Sequence, residues 1–341
     1  MIPLSVLDLA PITQGSSVRQ ALDNARQLAQ AAESLGYRRF WLAEHHGMAG
    51  IASAATSVVI GHVAAGTTTI RVGAGGIMLP NHSPLVIAEQ FGTLAALFPG
   101  RIDLGLGRAP GSDQPTMRAL RRTNAAADAF PYDVAELIAY LEPPASGQLV
   151  RAVPGGGSNV PVWILGSSLF GAHLAAAMGL PFAFASHFAP AALMQAIDVY
   201  RSEFQPSKHL ETSHLMLGLN AFAAESDEEA RWLFTSMQTT FLNLRRGRPT
   251  QLAAPSREFE KDMTPMEHAM LQEILSCTVV GSRATVAAGL RAFAERTGAD
   301  EFMLSAQIHD FAARVRSFEI TALANADTPN TSPIPGSASP E

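Results

Sequence analysis

Short apolar segments alternate with amphipathic segments from the beginning of the chain. The first apolar run, LSVLDLA at 4–10, is typical of a strand buried on both faces of a parallel sheet. Apolar residues then recur at helical spacing from Val18 to Leu35, with Ser16 or Ser17 available as the N-cap and Gly36 after the last turn. This pattern predicts a strand followed directly by a helix.

The strand–helix unit repeats along the chain. Its first apolar runs begin at positions 4, 37, 70 and 101, a spacing typical of one strand, one helix and two loops. Four later runs, each followed by a helix-like segment, lie at 161–168, 181–188, 215–224 and 301–308. Eight such units predict an α/β fold of the (β/α)8 TIM-barrel type. A doubly wound open sheet is the alternative, but its usual Gly-x-Gly-x-x-Gly turn does not follow the first strand.

Residues 1–325 are predicted to form a single barrel domain with two departures from the repeat. The segment 143–160 is rich in Pro, Gly and Ser, which predicts an irregular connection to strand five. A polar insertion at 245–265, between strands seven and eight, is either a lid over a ligand site or a disordered loop. Residues 326–341 have no apolar periodicity and are predicted to be a disordered tail.

Composition narrows the class of protein. Of the 341 residues, 47% are hydrophobic and 16% are charged, which predicts a large core and, with so few surface charges, a homo-oligomer. A net charge of −6 lacks the basic excess that nucleic acid binding requires. No apolar run approaches the ~20 residues of a membrane span, and no basic leader precedes the first run. Together with the single Cys277, these features predict a cytoplasmic protein without a membrane or nucleic acid partner.

In a barrel of this type the reactive site lies at the C-terminal ends of the strands. Strand two ends in Glu44-His45-His46, and alternate side chains of a strand point to opposite faces, so one of Glu44 and His45 is expected to point inward. A histidine here can exchange protons near neutral pH, or it can simply be hydrogen-bonded to a neighbouring loop. Adjacent histidines diverge, so His45 and His46 do not predict a metal site.

Strands four and five end in a second group of polar residues. Arg108 follows strand four, and its guanidinium group can bind a phosphate or a carboxylate through two hydrogen bonds. Ser167 and Ser168 begin the next helix, whose free N–H groups also favour an anion. Neighbouring strands can bring these residues to one phosphate; in the alternative, the arginine and an N-capping serine never meet. The residues alone predict an anion-binding barrel enzyme with a histidine near its mouth.

Longer motifs resemble those of a known family. The runs RRFWLAEHHGMAGIAS, IRVGAGGIMLPNHSPLVIAEQFGTL, FPGRIDLGLGRAPG and PVWILGSS resemble the bacterial luciferase-like flavin-dependent monooxygenase family, in the same order over 1–325. The resemblance is closest to the uncharacterised luciferase-like oxidoreductase subgroup. Where the light-emitting enzyme has a reactive cysteine, this chain has Gly107, so the resemblance does not by itself imply the substrate of that enzyme or the lifetime of its flavin intermediate.

The resemblance implies a cofactor and a set of site residues. FMN in its reduced form is expected at the barrel mouth, with its phosphate at Arg108 and at the Ser167–Ser168 turn. The family's non-proline cis peptide bond is expected between Gly75 and Gly76. His45, with Glu44 beside it, is expected to take part in the oxygen chemistry.

The reaction that the resemblance implies is a monooxygenation. Reduced FMN and molecular oxygen would act on a small organic substrate such as an aldehyde, and a separate flavin reductase would supply the reduced FMN, since no nicotinamide-binding motif is evident. One alternative is hydride transfer with a deazaflavin, whose longer acidic tail needs more positive charge than Arg108 offers. The other is a flavin-binding protein without turnover. Glu44, His45 and Arg108 favour an enzyme.

Overall fold

The computed structural model describes residues 1–109, 114–122 and 127–327. The predicted tail at 326–341 lies outside these residues except for its first two positions. The strands are β1 (Leu4–Asp8), β2 (Arg39–Leu42), β3 (Arg71–Met78), β4 (Ile102–Gly107), β5 (Val162–Gly166), β6 (Phe182–Phe184), β7 (Leu215–Ala223), β8 (Thr278–Gly281) and β9 (Glu301–Ser305).

The helices cover most of the chain between the strands. They are α1 (Val18–Ser34), α2 (Thr56–Ala64), α3 (Pro84–Leu97), α4 (Gln114–Ala119), α5 (Phe130–Leu141), α6 (Leu169–Met178), α7 (Leu193–Glu203), α8 (Asp227–Arg245), α9 (Pro265–Ile274), α10 (Arg283–Thr297) and α11 (Phe311–Ala326). Short 3-10 helices lie at Leu79–Asn81 and Phe259–Asp262. Among the described residues, none of the helices combines the length and the apolar character needed to cross a membrane.

Eight of the strands close into a parallel barrel. Strands β1 to β7 pair in sequence order, β7 also pairs with β9, and β9 pairs with β1, which completes the ring. The predicted (β/α)8 TIM barrel is therefore confirmed, with β9 as its eighth strand. The additional strand β8 pairs with the C-terminal half of β7, from Asn220 to Ala223. The sequence does not predict β8, because four residues beside a helix carry too little periodicity to identify a strand.

Local sequence signals explain the first strand–helix unit. Ser17 is the N-cap of α1, and its Oγ accepts a hydrogen bond from the Gln20 N–H at 3.2 Å. After the helix ends, Gly36 has a φ of +80°, a left-handed conformation that favours glycine. The predicted amphipathic face is buried against the barrel, with Ala25 and Leu28 fully inaccessible to solvent.

The lower part of the barrel interior is filled by two layers of side chains. Near the N-terminal ends of the strands, Arg39 lies 2.7 Å from the Asp103 carboxylate and 3.0 Å from the Glu301 carboxylate, and all three are buried. Above them, Trp41 and Trp163 pack edge to face with ring centroids 5.2 Å apart. Leu7, Met216 and Met303 pack into the same layer. These layers close the barrel from below, so its open part lies at the C-terminal ends of the strands.

Candidate active site

A cavity of about 420 Å³ opens at the C-terminal ends of the barrel strands. Its wall includes six of the residues that the sequence predicts for the site: His45, Gly75, Gly76, Arg108, Ser167 and Ser168. Much of the remaining wall is apolar, including Leu9, Phe130, Leu165, Phe170 and Met303. The predicted histidine, arginine and serines therefore face a single cavity of a size typical of ligand sites.

Two glycines leave part of the cavity wall without side chains. A Cβ on Gly75 would lie 2.8 Å from Leu7 Cδ1, and a Cβ on Gly76 would lie 2.8 Å from the Gly105 carbonyl oxygen. The peptide bond between Gly75 and Gly76 is cis, as the resemblance implied. A larger residue at either position would displace its neighbours, and as glycines the two residues contribute only backbone to the cavity wall.

The Arg108 guanidinium group is held against an aromatic ring of the cavity wall. Its Cζ lies 4.1 Å from the centroid of the Phe170 ring, and its Nε donates to the Ala127 carbonyl oxygen at 3.3 Å. A carboxylate oxygen of Asp128 lies 3.9 Å away, but the Asp128 side chain is 82% exposed, so solvent weakens this ion pair. The cation–π contact with Phe170 holds the guanidinium group at the cavity wall.

Ser167 and Ser168 lie at the N-terminus of α6. Ser168 is the N-cap residue, but its side chain makes no capping hydrogen bond. By contrast, the N-cap residues Ser17 and Ser226 of α1 and α8 each accept a hydrogen bond from an N–H of the first turn. The first turn of α6 therefore presents N–H groups that Ser168 does not cap, next to the cavity, where an anion can accept from them.

Glu44 lies behind the cavity wall and does not face the cavity. Its Oε1 accepts hydrogen bonds from Nε2 of His46 at 2.7 Å and Nε2 of His82 at 2.8 Å, and its Oε2 accepts from the Met78 N–H at 2.9 Å. Burial raises the pKa of the Glu44 carboxyl group, but the hydrogen bonds outweigh burial and hold the pKa below its usual value. Since Met78 lines the cavity, Glu44 positions that part of the wall from outside.

Glu44, His46 and His82 are residue types that can bind a metal ion. The ligand atoms of Glu44, His46 and His82 lie within 4.8 Å of one another. However, both imidazole nitrogens are at hydrogen-bonding distance from one carboxylate oxygen. A zinc ion that is bound about 2.0–2.2 Å from each ligand in a tetrahedral arrangement would push these atoms apart. We interpret the group as a hydrogen-bonded carboxylate.

His187 is a polar cavity residue that is not among the site residues predicted from the sequence. It follows β6 as His45 follows β2, and both histidines line the cavity. Burial lowers the pKa of His187 to about 4, and the neighbouring His45 also lowers it, so the ring is neutral near pH 7. The criterion that identifies His45, a polar residue at the C-terminal end of a strand, also applies to His187.

The insertion predicted at 245–265 is attached to the loop that follows β1. The Gln14 N–H donates to the Leu252 carbonyl oxygen at 2.9 Å, and the Leu252 N–H donates to the Ile12 carbonyl oxygen at 3.0 Å. Leu252 is buried, and the insertion ends at α9, whose N-cap Thr264 forms a capping box with Glu267. The insertion therefore lies beside the C-terminal ends of the strands, on the side of β1.

The closed barrel and its mouth cavity define a (β/α)8 barrel protein with a ligand-sized cavity. Comparison with known proteins defines the family. A family described as luciferase-like monooxygenase matches residues 2–301. A luciferase-like monooxygenase of Escherichia coli strain K12 is 56% identical over 320 residues, covering 94% of this chain and 96% of that protein. The chain therefore belongs to the luciferase-like monooxygenase family, which places it among the oxidoreductases.

Solved structures share the barrel fold. The crystal structure of apo-MsnO8 matches with a TM-score of 0.85 at 33% identity, covering 97% of this chain and 100% of that chain. The oxygenating constituent of 3,6-diketocamphane monooxygenase from the CAM plasmid of Pseudomonas putida, solved in complex with FMN, has a TM-score of 0.68. It is 17% identical, covering 94% of this chain and 97% of that chain, and shares the fold.

Proposed function

We propose that the protein is an FMN-dependent monooxygenase that uses reduced FMN and molecular oxygen to oxidise a small organic substrate such as an aldehyde. One observation carries this proposal: a single cavity is lined by an arginine, a helix N-terminus, glycine backbone and a histidine. Membership of the luciferase-like monooxygenase family and the binding of FMN by a monooxygenase of the same fold support it.

The donors at one side of the cavity fit the phosphate of FMN. The Arg108 guanidinium group supplies a positive charge, and the first turn of α6 supplies backbone N–H groups beside Ser167 and Ser168. A phosphate accepts hydrogen bonds from both kinds of donor, and the helix dipole adds to the attraction. We infer that these residues hold the phosphate.

The remaining cavity fits the flavin ring system and a small substrate. The backbone at Gly75–Gly76 lets a flat ring approach, and apolar side chains such as Leu165 and Met303 surround the space. This apolar wall also excludes water, which strengthens the polar interactions within it. The cavity therefore suits a ring system and an apolar substrate better than a strongly charged substrate.

His45 is the residue that we assign to the chemical step. Bound reduced FMN supplies the electrons for the reaction with oxygen. The imidazole of His45 faces the cavity and can hold or move a proton there near neutral pH. Glu44 acts as a positioning residue, because it fixes Met78 through a hydrogen bond and does not face the cavity.

We further propose that a separate flavin reductase supplies the reduced FMN, since the sequence has no evident nicotinamide-binding motif. The low content of charged residues, 16%, supports a homo-oligomer. Sedimentation and reductase coupling assays test these two proposals directly.

Anaerobic titration with reduced FMN, followed by exposure to air with an aldehyde, tests the proposed function. We expect a saturable change in flavin absorbance and then oxidation of the aldehyde that depends on oxygen. A deazaflavin-dependent enzyme would instead bind the deazaflavin in preference to FMN and transfer hydride without oxygen. A non-catalytic flavin-binding protein would bind FMN and form no product. Failure to bind reduced FMN contradicts the proposal.

The insertion at 245–265 is proposed to close over the occupied cavity, as lids of barrel enzymes do. Reduced FMN together with an aldehyde is expected to slow trypsin cleavage at Arg246 and Arg257, because closure orders the exposed backbone. Arg151, in the connection 143–160, provides the control, and its cleavage is expected to stay constant. Mass spectrometry of the fragments measures all three sites. Equal rates with and without ligands would identify the insertion as a passive loop.

A further inference from the structure

A glycine in β7 makes room for the second histidine of the cavity. A Cβ on Gly218 would lie 2.1 Å from Nδ1 of His187. The ring atoms on either side of Nδ1, Cε1 and Cγ, would lie 3.0 and 3.1 Å from the same Cβ, so the Nδ1 corner points at Gly218. The opposite edge of the ring, which carries Nε2, therefore points away from β7.

Buried polar contacts fix the position of this histidine. The His187 carbonyl oxygen accepts a hydrogen bond from Asn220 Nδ2 at 2.7 Å. The preceding residue, Ser186, donates through Oγ to the Gly218 carbonyl oxygen at 2.5 Å, and both Ser186 and Asn220 are fully buried. The ring packs edge to face against Phe188 with centroids 4.8 Å apart. A side chain held in this way is already oriented before a ligand arrives.

The protonation of the ring follows from its surroundings. Burial lowers the pKa of His187 to about 4, so near neutral pH the ring has one N–H and one lone pair. Nδ1 is buried and has no hydrogen-bond partner. A buried N–H without an acceptor is unfavourable, so the proton is favoured on Nε2, where a molecule in the cavity can accept it.

The other polar side chains of the cavity already have assignments. Among the described residues of its wall, Arg108, Ser167 and Ser168 are assigned to the phosphate of FMN, and His45 is assigned to the chemical step. His187 is left to recognise the organic substrate. The nearby wall is apolar, so the remainder of that substrate is expected to be apolar as well.

We propose that Nε2–H of His187 donates a hydrogen bond to an acceptor oxygen of the substrate and thereby orients the substrate beside His45. The substrate class is an apolar molecule with one such oxygen, for example the carbonyl oxygen of an aldehyde or a ketone. This inference rests on the proposed function, because the substrate must share the cavity with FMN. His187 is accordingly a substrate-binding residue with no role in holding the cofactor.

Nuclear magnetic resonance of the protein with 15N-labelled histidine tests the state of the ring. We expect a neutral Nε2–H tautomer for His187 from about pH 5.5 to 8, with its signal assigned by its loss in His187→Gln. The signal is expected to move when benzaldehyde is added and to stay in place with toluene, which has the same shape but no acceptor oxygen. A protonated ring at pH 6, an Nδ1–H tautomer or no response to benzaldehyde overturns the proposal.

Binding of the same two probes to the FMN-loaded protein tests the contact. His187→Phe is expected to weaken benzaldehyde binding by about 2- to 12-fold and to leave toluene binding unchanged, the range for one neutral hydrogen bond. His187→Gln keeps a side-chain N–H and is expected to restore most of the loss. His173→Phe is the matched control, because His173 is exposed and paired with Glu203 outside the cavity. Equal losses for both probes, or no binding of either, overturns the proposal.

The affinity for FMN keeps this inference separate from the proposed function. His187→Phe is expected to bind FMN within a few-fold of the wild-type affinity. If the wild-type protein fails to bind FMN, the proposed function fails, and the magnetic resonance test on the protein without FMN still decides the state of His187. If FMN binds, and His187→Phe binds benzaldehyde and toluene with the same affinities as the wild-type protein, the His187 inference alone fails.

Discussion

Arg108→Ala is expected to weaken the binding of reduced FMN by about 10- to 150-fold. The guanidinium group lines the cavity, stacked on Phe170, and the proposed phosphate accepts hydrogen bonds from it. A hydrogen bond to a charged group contributes about 1.5–3 kcal/mol, which gives this range in the dissociation constant. Anaerobic titration of the flavin absorbance measures the effect.

Three comparisons identify the phosphate as the group that Arg108 contacts. Riboflavin lacks the phosphate, so Arg108→Ala is expected to leave riboflavin binding unchanged. Arg108→Lys keeps the charge but loses the planar fork and the ring stacking, and an intermediate affinity for FMN is expected. Arg283→Ala removes an exposed arginine that pairs with Asp327 outside the cavity, and it serves as the control. Equal losses for FMN and riboflavin would show that Arg108 does not act on the phosphate.

The order of strands and helices could be predicted from the sequence, because each barrel strand is an apolar run between helices whose ends are marked by capping residues, glycine or proline. The lengths of the strands could not be predicted in this way. The apolar run at 181–188 yields only the three-residue strand β6. Its later residues leave the strand, and Ala185, His187 and Phe188 line the cavity. The end of the hydrogen-bonded ladder therefore depends on where the strands separate at the mouth, which the apolar pattern does not show.

The site residues were predictable to the extent that position along a strand determines direction. Alternation predicts that Glu44 and His45 face opposite sides, and the structure places His45 in the cavity. It does not predict the partners of Glu44, because His82 approaches from the connection after β3. The stacking of Arg108 on Phe170 likewise joins two strand–helix units. Contacts of this kind depend on tertiary packing, which the periodicity of a single chain does not encode.

The contact between His187 and Gly218 is a further feature that could not be predicted from the sequence. A glycine inside a strand usually indicates a bulge or the close approach of another group. The sequence LMLGLNAFA identifies this glycine, but it does not show that the approaching group is a histidine from the loop after the neighbouring strand β6. In the folded barrel, Gly218 in β7 lies beside His187 in the loop after β6. The absence of a Cβ at Gly218 then explains the orientation of the His187 ring.

His45→Ala is expected to lower the rate of substrate oxygenation by about 10²- to 10⁴-fold while changing the affinity for FMN by no more than a few-fold. This range is usual for the loss of a positioned acid or base. The cofactor affinity is expected to persist because His45 follows β2, whereas the proposed phosphate contacts follow β4 and β5. The rate of product formation measures the oxygenation, and hydrogen peroxide release measures the oxygen that is reduced without product.

The response to pH separates proton transfer by His45 from simple contact. In the wild-type protein, product formation is expected to titrate with a group in the histidine range, between about pH 5 and 8. His45→Asn keeps a hydrogen-bonding side chain but cannot exchange a proton in this range, so its residual activity is expected to lose that titration. His173→Ala, which alters an exposed histidine paired with Glu203, is expected to retain both the rate and the profile. Full activity of His45→Asn with an unchanged profile would assign the proton transfer to another group and leave His45 with a structural role.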